Sequence, residues 1–238
     1  MAVEERSARS GNGVRYGILG GTFDPPHVAH LVVAQEARAR LGLQRVYFVP
    51  AGQPPHKLGH PITPATDRWA MVQRAIADEP GFALSAVEVE RDGPSYTVET
   101  LRLLRAAWGP EPALYLIVGW DMLFDLPRWH DPAGVVAEAT HVVAAHRPGY
   151  QADPAQMRRL EAAVPQLASK LVMLPVPQLE ISASEVRQRV ASSLPLRYLV
   201  PDTVIEYIVD HGLYHSADNA ESGYAAPAEH APDREDQL

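Results

Sequence analysis

Six short apolar runs, each followed by a stretch with helical periodicity, dominate this chain and restrict what it can fold into. The runs are Val14–Leu19, Arg45–Val49, Phe82–Val89, Leu114–Val118, His141–Ala145 and Leu171–Leu174; helical patterns lie near 28–40, 64–78, 96–107, 131–139, 154–163, 183–191 and 202–211. This β–α alternation predicts an α/β fold, a mostly parallel sheet with helices on both faces. In such sheets ligands bind outside the carboxyl ends of the strands, so functional residues should follow strands. No internal repeat is visible, and no linker is long enough to divide the chain into separate domains. The proline-rich stretch Pro50–Pro64 reads as a loop belonging to a binding site.

Composition narrows the class. The 238 residues are 46% hydrophobic and 21% charged, an ordinary globular balance. Cysteine is absent, which excludes disulfide scaffolds, Cys-ligated zinc, Fe–S clusters and thiol catalysis, and fits a cytoplasmic location. No run reaches the roughly 18 apolar residues of a membrane span, and the opening MAVEERSARSGNG lacks a signal-peptide core, so no membrane role is expected. The net charge of −8 argues against broad nucleic-acid binding. Most of it sits at one end: from Ser216 onward six acids and one base contribute −5, leaving −3 for the rest. That acidic tail, 216–238, and residues 1–13 lack apolar periodicity and are expected to be disordered around one domain, 14–215.

The first strand runs into Gly20-Gly21-Thr22-Phe23-Asp24-Pro25-Pro26-His27-Val28-Ala29-His30 and then an apolar helix. Paired glycines permit close backbone approach to a ligand, and a helix start offers free N–H groups and a positive dipole end. His27 and His30 fall three apart, neighbours on the first turn, where two imidazoles could donate to phosphate oxygens. A plainer reading makes Asp24 an N-cap before Pro25, the glycines merely turning the chain. A zinc site is the other sharp option, but HxxH lacks the i, i+4 spacing and the Glu of the helical zinc motif, and there is no P-loop lysine pattern.

Ile181-Ser182-Ala183-Ser184-Glu185-Val186-Arg187 reads as another helix start. Ser182 and Glu185 form a capping box, and Ile181 can staple onto Val186. Arg187 lies outside that account: it shares a face with Ser184 and carries a guanidinium near an anion-friendly helix end. Arg189 lies off that face and reads as solvated. Between these segments, Gln53-Pro54-Pro55-His56-Lys57 is a stiff loop ending in a cation. Ser95 reads as the N-cap of the third helix, Asp121 follows the fourth strand, and Trp129 sits beside a proline-broken turn, more often a core position than a ligand platform.

GGTFDPPHVAH resembles the signature of the nucleotidylyltransferase superfamily in the form found in bacterial nicotinate-nucleotide adenylyltransferases, with Ala29 where glycine is usual. ISASEVR is similar to the ISSTxxR motif of that family, Ala183 and Ser184 replacing Ser and Thr. Pro94-Ser95-Tyr96-Thr97-Val98-Glu99-Thr100-Leu101 resembles its SYTxxTL segment, Gly119-Trp120-Asp121 its GxD and His146-Arg147-Pro148-Gly149 its RPG; the run from Val200 to Tyr214 resembles its closing helix. The resemblance spans about residues 14–215 and implies a Rossmann-like, doubly wound catalytic domain that joins ATP to nicotinate mononucleotide, giving deamido-NAD and pyrophosphate. It implies catalytic roles for His27, His30 and Arg187. ATP would be bound by these with Gly20, Gly21, Thr22, Phe23, Gly119, Asp121 and Ser184. The mononucleotide would meet Lys57, Thr97, Trp129 as a stacking platform, His130 (where some relatives have tyrosine) and Arg147. Mg²⁺ is expected to arrive with ATP, with no metal cage built by the protein.

Three other readings stand beside this one. Pantetheine-phosphate adenylyltransferase shares both end motifs but has shorter chains. A nucleotide-binding regulator of the same fold would lack turnover, and a zinc hydrolase built on HxxH would carry bound metal. The sequence is compatible with a homo-oligomer.

Overall fold

The fold was analysed as a computed structural model that describes residues 13–55, 61–146, 153–177 and 179–215. In chain order the elements are β1 (Arg15–Gly21), α1 (Val28–Leu41), β2 (Arg45–Pro50), α2 (Ala65–Ala75), β3 (Phe82–Leu84), α3 (Thr97–Trp108), β4 (Ala113–Gly119), α4 (Trp120–Asp125), α5 (Pro132–Glu138), β5 (His141–His146), α6 (Pro154–Ala163), α7 (Leu167–Lys170), β6 (Leu171–Pro175), α8 (Ala183–Ala191) and α9 (Asp202–Asp210). All six predicted strands are present, paired in parallel in the order β3-β2-β1-β4-β5-β6. The chain winds outward from the centre in both directions, so β1 and β4 flank the topological switch point, where open α/β sheets place their ligand crevice.

Alternation within the strands builds both faces. Ile18, Leu114, Leu116 and Val118 face Val98, Leu101 and Leu104 of α3 and Val135 and Val136 of α5. Their neighbours Leu19, Tyr115 and Ile117 face the other way, with Phe48 and Val143, against Ala34 and Ala37 of α1. Burial on both sides is why β4 reads as an unbroken apolar run. The small Ala34 and Ala37 let α1 lie close to the sheet, and Gly42 ends it in the left-handed conformation (φ 61°) that residues with a Cβ resist. A third cluster, Met71, Val186, Val190, Val204, Tyr207 and Ile208, joins α2, α8 and α9.

Several expectations need correction. β1 extends through Gly20 and Gly21, so the glycine pair forms the strand's end rather than a separate turn. β3 stops at Leu84 instead of Val89, because the chain leaves the sheet edge to bury Glu88 against α3. The short helices α4 and α7, and a single 3₁₀ turn over Leu126–Arg128, were not anticipated; three to six residues are too few to show a helical period. Among the described residues no helix is long and apolar enough to cross a membrane. The expected tails 1–13 and 216–238 lie outside the described residues apart from Gly13.

Candidate active site

Two clefts open at the carboxyl ends of the strands. The first, about 530 Å³, is lined by Gly20, Gly21 and Thr22 at the end of β1, by Pro54 and Pro55 after β2, by Glu88, Ser95, Tyr96, Thr97 and Thr100, and by Trp129 and His130. The second, about 500 Å³, lies on the α1 side and is lined by Ala29, Trp120, Asp121, Phe124, His146 and Gln156 among others. The first includes Thr22, where the loop to the histidines begins, and the second includes Ala29 and Val33 of α1; His27 and His30 line neither.

His27, not Asp24, is the N-cap residue of α1. The plain capping reading of Asp24 therefore fails, and Pro25 stands outside the helix. His30, in the third helical position, lies against His27 with ring centroids 3.8 Å apart and planes inclined by 31°. Phe23 supports it from beneath, edge to face at 4.9 Å. The His27 backbone N–H donates to His30 Nδ1 at 3.2 Å. A neutral His30 then carries its proton on Nε2, the nitrogen left to donate. Burial lowers the His27 pKa to about 4, and burial together with the adjoining His27 lowers that of His30 to about 3. Both imidazoles are uncharged at neutral pH and can act as hydrogen-bond donors rather than as fixed cations. His27 Nδ1 is buried and lacks a hydrogen-bond partner.

The loop before the histidines is held from far along the chain. Arg187 Nη1 donates to the Asp24 carbonyl at 2.7 Å, and its Nη2 donates to Ser184 Oγ at 3.1 Å. The segments near residues 27 and 184 do meet, as their chemistry suggested. Ser182 caps α8 by accepting from the Glu185 N–H at 3.1 Å, and Ile181 packs on the cluster containing Val186. Arg189 is half-buried and donates to the Pro195 carbonyl at 3.0 Å, so its expected solvated role is replaced by a structural one. The Asp24 carboxylate, 3% exposed, accepts from the Tyr214 hydroxyl at 2.7 Å and from the Thr63 N–H at 3.4 Å.

Other predicted residues fall into place unevenly. Thr97 begins α3 and lines the first cleft, but the N-cap there is Tyr96; Ser95 Oγ instead accepts from the Gln53 N–H at 3.2 Å, tying the post-β2 loop to α3. Trp129 is half-buried on the cleft wall, its Nε1 shielded from solvent and without a partner. His130 stacks on Tyr96 at 4.3 Å. Asp121 lines the second cleft from the first turn of α4, whose N-cap is the exposed Gly119. The Phe23 side chain, 2% exposed and with φ 50°, belongs to the core, and the residue lines neither cleft. Ser184 and Arg187 stand at the loop rather than in either cleft wall. Lys57 and Arg147 lie outside the described residues.

Three residues escaped the sequence. Arg68, 1% exposed, donates to three backbone carbonyls. Glu88 lines the first cleft, accepts from Thr100 Oγ1 at 2.5 Å, and has its carboxyl pKa raised by burial. Tyr214 reaches Asp24. Among the described residues no group of three or more His, Asp or Glu side chains could hold a metal ion.

A parallel sheet with clefts on both sides of a glycine-ended central strand, beside a histidine pair at a helix start, defines a nucleotide-binding α/β domain of the doubly wound class. The family model described as cytidylyltransferase-like matches residues 18–189. The chain is 47% identical over 204 residues to a probable nicotinate-nucleotide adenylyltransferase of Thermomicrobium roseum, covering 86% of this chain and 93% of that one. It is 43% identical over 202 residues to the protein of the same name from Dehalococcoides mccartyi, covering 85% and 98%. The fold is similar to that of a Plasmodium falciparum nicotinic acid mononucleotide adenylyltransferase complexed with NaAD, with TM-score 0.68, 20% identity and coverage of 84% of this chain and 97% of that chain. The chain belongs to the cytidylyltransferase-like family, in its nicotinate-nucleotide adenylyltransferase branch.

Proposed function

We propose that this chain transfers the adenylyl group of ATP to nicotinate mononucleotide, forming deamido-NAD and releasing pyrophosphate. A 5′-phosphate oxygen of the mononucleotide bonds to the α-phosphorus of ATP. The bond from that phosphorus to the α,β-bridging oxygen breaks, and its electron pair leaves with pyrophosphate. The attacking oxygen is already anionic, so the reaction needs no activated side chain; alignment and neutralisation of charge can supply most of the rate.

The observation that carries this reading is the histidine pair at the start of α1, between Thr22 of the first cleft and Ala29 of the second, with Arg187 bound to the intervening loop's backbone. In this reading ATP enters the second cleft, its ribose hydroxyls at Asp121 and its triphosphate along Gly20–Phe23, Ser184 and the start of α1. His27 and His30 would donate to phosphate oxygens, His30 from Nε2 and nearer the bridging oxygen, while Arg187 adds the positive charge that the neutral imidazoles do not. The mononucleotide enters the first cleft, its pyridine ring on Trp129, its carboxylate at the Thr97 and His130 backbone, its phosphate toward Lys57 and Arg147. Mg²⁺ would arrive with the triphosphate as part of the substrate.

The test is pyrophosphate release from ATP and Mg²⁺ with nicotinate mononucleotide, nicotinamide mononucleotide or phosphopantetheine supplied in parallel. Turnover with nicotinate mononucleotide and none with phosphopantetheine is expected; no pyrophosphate with either mononucleotide would sink the proposal. His30→Ala should fold and lose turnover by at least about a hundredfold. A folded His30→Ala enzyme with near-normal turnover would remove the histidine from the phosphate chemistry.

A further inference from the structure

We infer that Arg68 is a positioning residue that fixes the wall of the mononucleotide cleft against the loop leading to the histidines, an inference that rests on the adenylyl-transfer reading above. Its guanidinium lies beneath the site, 1% exposed and lining neither cleft. Each nitrogen donates to a different segment: Nη1 to the Thr22 carbonyl at 2.9 Å, Nη2 to the Gly52 carbonyl at 3.2 Å, and Nε to the Thr63 carbonyl at 2.8 Å. Thr22 belongs to the loop that leads to the histidines. Gly52 opens the segment after β2 whose Pro54 and Pro55 form a wall of the first cleft, and Thr63 closes that segment before α2. A single planar group thus holds Gly52 and Thr63, which flank the segment after β2, to Thr22, which lines the same cleft and begins the loop to the histidines.

The neighbouring contacts leave this clamp little slack. The Ala51 N–H donates to the Gly21 carbonyl at 2.9 Å, and the Ser95 N–H donates to the Gln53 carbonyl at 2.9 Å. Gly52 sits so close to the Glu88 carbonyl that a Cβ would collide with it. Thr63 is held at its other side by the Asp24 carboxylate. A guanidinium so withdrawn from water is costly unless its donors are met, and three carbonyls in fork geometry meet them. Lysine at this position would keep the charge but not the fork. In-line transfer between two bound phosphates is sensitive to displacements of about an ångström, which can cost about a hundredfold in rate.

The experiment compares Arg68→Lys and Arg68→Met with wild type and with Arg74→Ala. Arg74 lies on the same helix but stacks on Tyr207 at 4.5 Å, so its loss loosens α2 without touching the clamp. Steady-state pyrophosphate release gives kcat and both KM values. Hydrogen exchange gives the protection of the Ala51, Gln53 and Ser95 amides. Both Arg68 variants should lower kcat by about a hundredfold and raise the mononucleotide KM more than the ATP KM, with those three amides exchanging at least about tenfold faster. Arg74→Ala should lower the melting temperature and leave these readouts within about twofold. Should Arg68→Lys match wild type in kcat and both KM values, or should the three amides keep their protection in the Arg68 variants, the inference falls. If the variants do not fold, exchange in wild type under mild denaturant decides: the three amides must open together, and independent opening overturns the clamp. If wild type lacks adenylyl transfer altogether, the functional reading fails, while the exchange comparison still judges whether Arg68 holds the segments together.

Discussion

The buried histidine pair makes folding stability pH-dependent in a predictable window. In the unfolded chain both imidazoles titrate near the ordinary value of 6.5, whereas in the folded protein they titrate at about 4 and about 3. Between those limits the unfolded state binds more protons than the native state, so stability rises with pH and is lost as pH falls below 6.5. Integrating both titrations from pH 6.5 to 5 gives a loss of about 3 kcal/mol, as an upper figure for two coupled groups, with each histidine supplying about half. Urea unfolding at half-unit steps from pH 5 to 7.5 measures it, with wild type set against His30→Gln and against the double variant His27→Asn/His30→Gln. The shifted groups Glu88 and His141 are common to every variant and largely cancel in the comparison. The slope of stability against pH should fall by about half in the single variant and by nearly all of the histidine share in the double. Parallel slopes in all three proteins would refute the claim that the imidazoles are held neutral, and with it their assignment as uncharged donors.

Three further outcomes follow from the geometry. Trp129→Ala should raise the KM for nicotinate mononucleotide by at least about tenfold, a loss of about 1.4 kcal/mol, and that for ATP much less; steady-state kinetics with each substrate varied checks this, and the reverse pattern would remove the tryptophan as a ring platform. Gly52→Ala drives a Cβ into the Glu88 carbonyl and should cost about 1–3 kcal/mol of stability, read by urea unfolding. Tyr214→Phe removes the only hydroxyl given to Asp24 Oδ1 among the described residues and should destabilise the fold by about 1–3 kcal/mol, read by thermal melting; an unchanged melting temperature would show that the carboxylate finds water instead.

Much of the fold was legible because β–α alternation and strand hydrophobicity are local signals. The strands' number and direction followed from apolar runs such as Leu114–Val118, buried on both faces. What was missed had non-local causes. Glu88 stands in Val87-Glu88-Val89-Glu90, whose alternation imitates a strand with its acids in water; only the departure of the chain toward α3 buries it. Arg68 looks like an ordinary helical arginine between Asp67 and Trp69, and its three carbonyl partners lie up to 46 residues away. Tyr214 reads as the end of a packing helix, and its partner is 190 residues distant. Two cap assignments failed for a related reason, whereas Ser182 does cap α8. Asp24 and Ser95 are good capping residues by type, but each is drawn into a tertiary hydrogen bond, leaving the helix starts to His27 and Tyr96. The motif residues stood out because short spacings place side chains on one helical turn, and the contact of Arg187 with the Asp24 carbonyl brings the two segments side by side.

The late arrival of the partners of Asp24 has a consequence for biosynthesis. The last strand of the sheet ends at Pro175, whereas Arg187 and Tyr214, which hold the Asp24 carbonyl and carboxylate, come afterwards. A nascent polypeptide can therefore assemble every strand while its histidine-bearing loop still lacks two of its restraints. Ribosome-stalled chains ending between those points would carry all six described strands while still lacking the two contacts that hold Asp24.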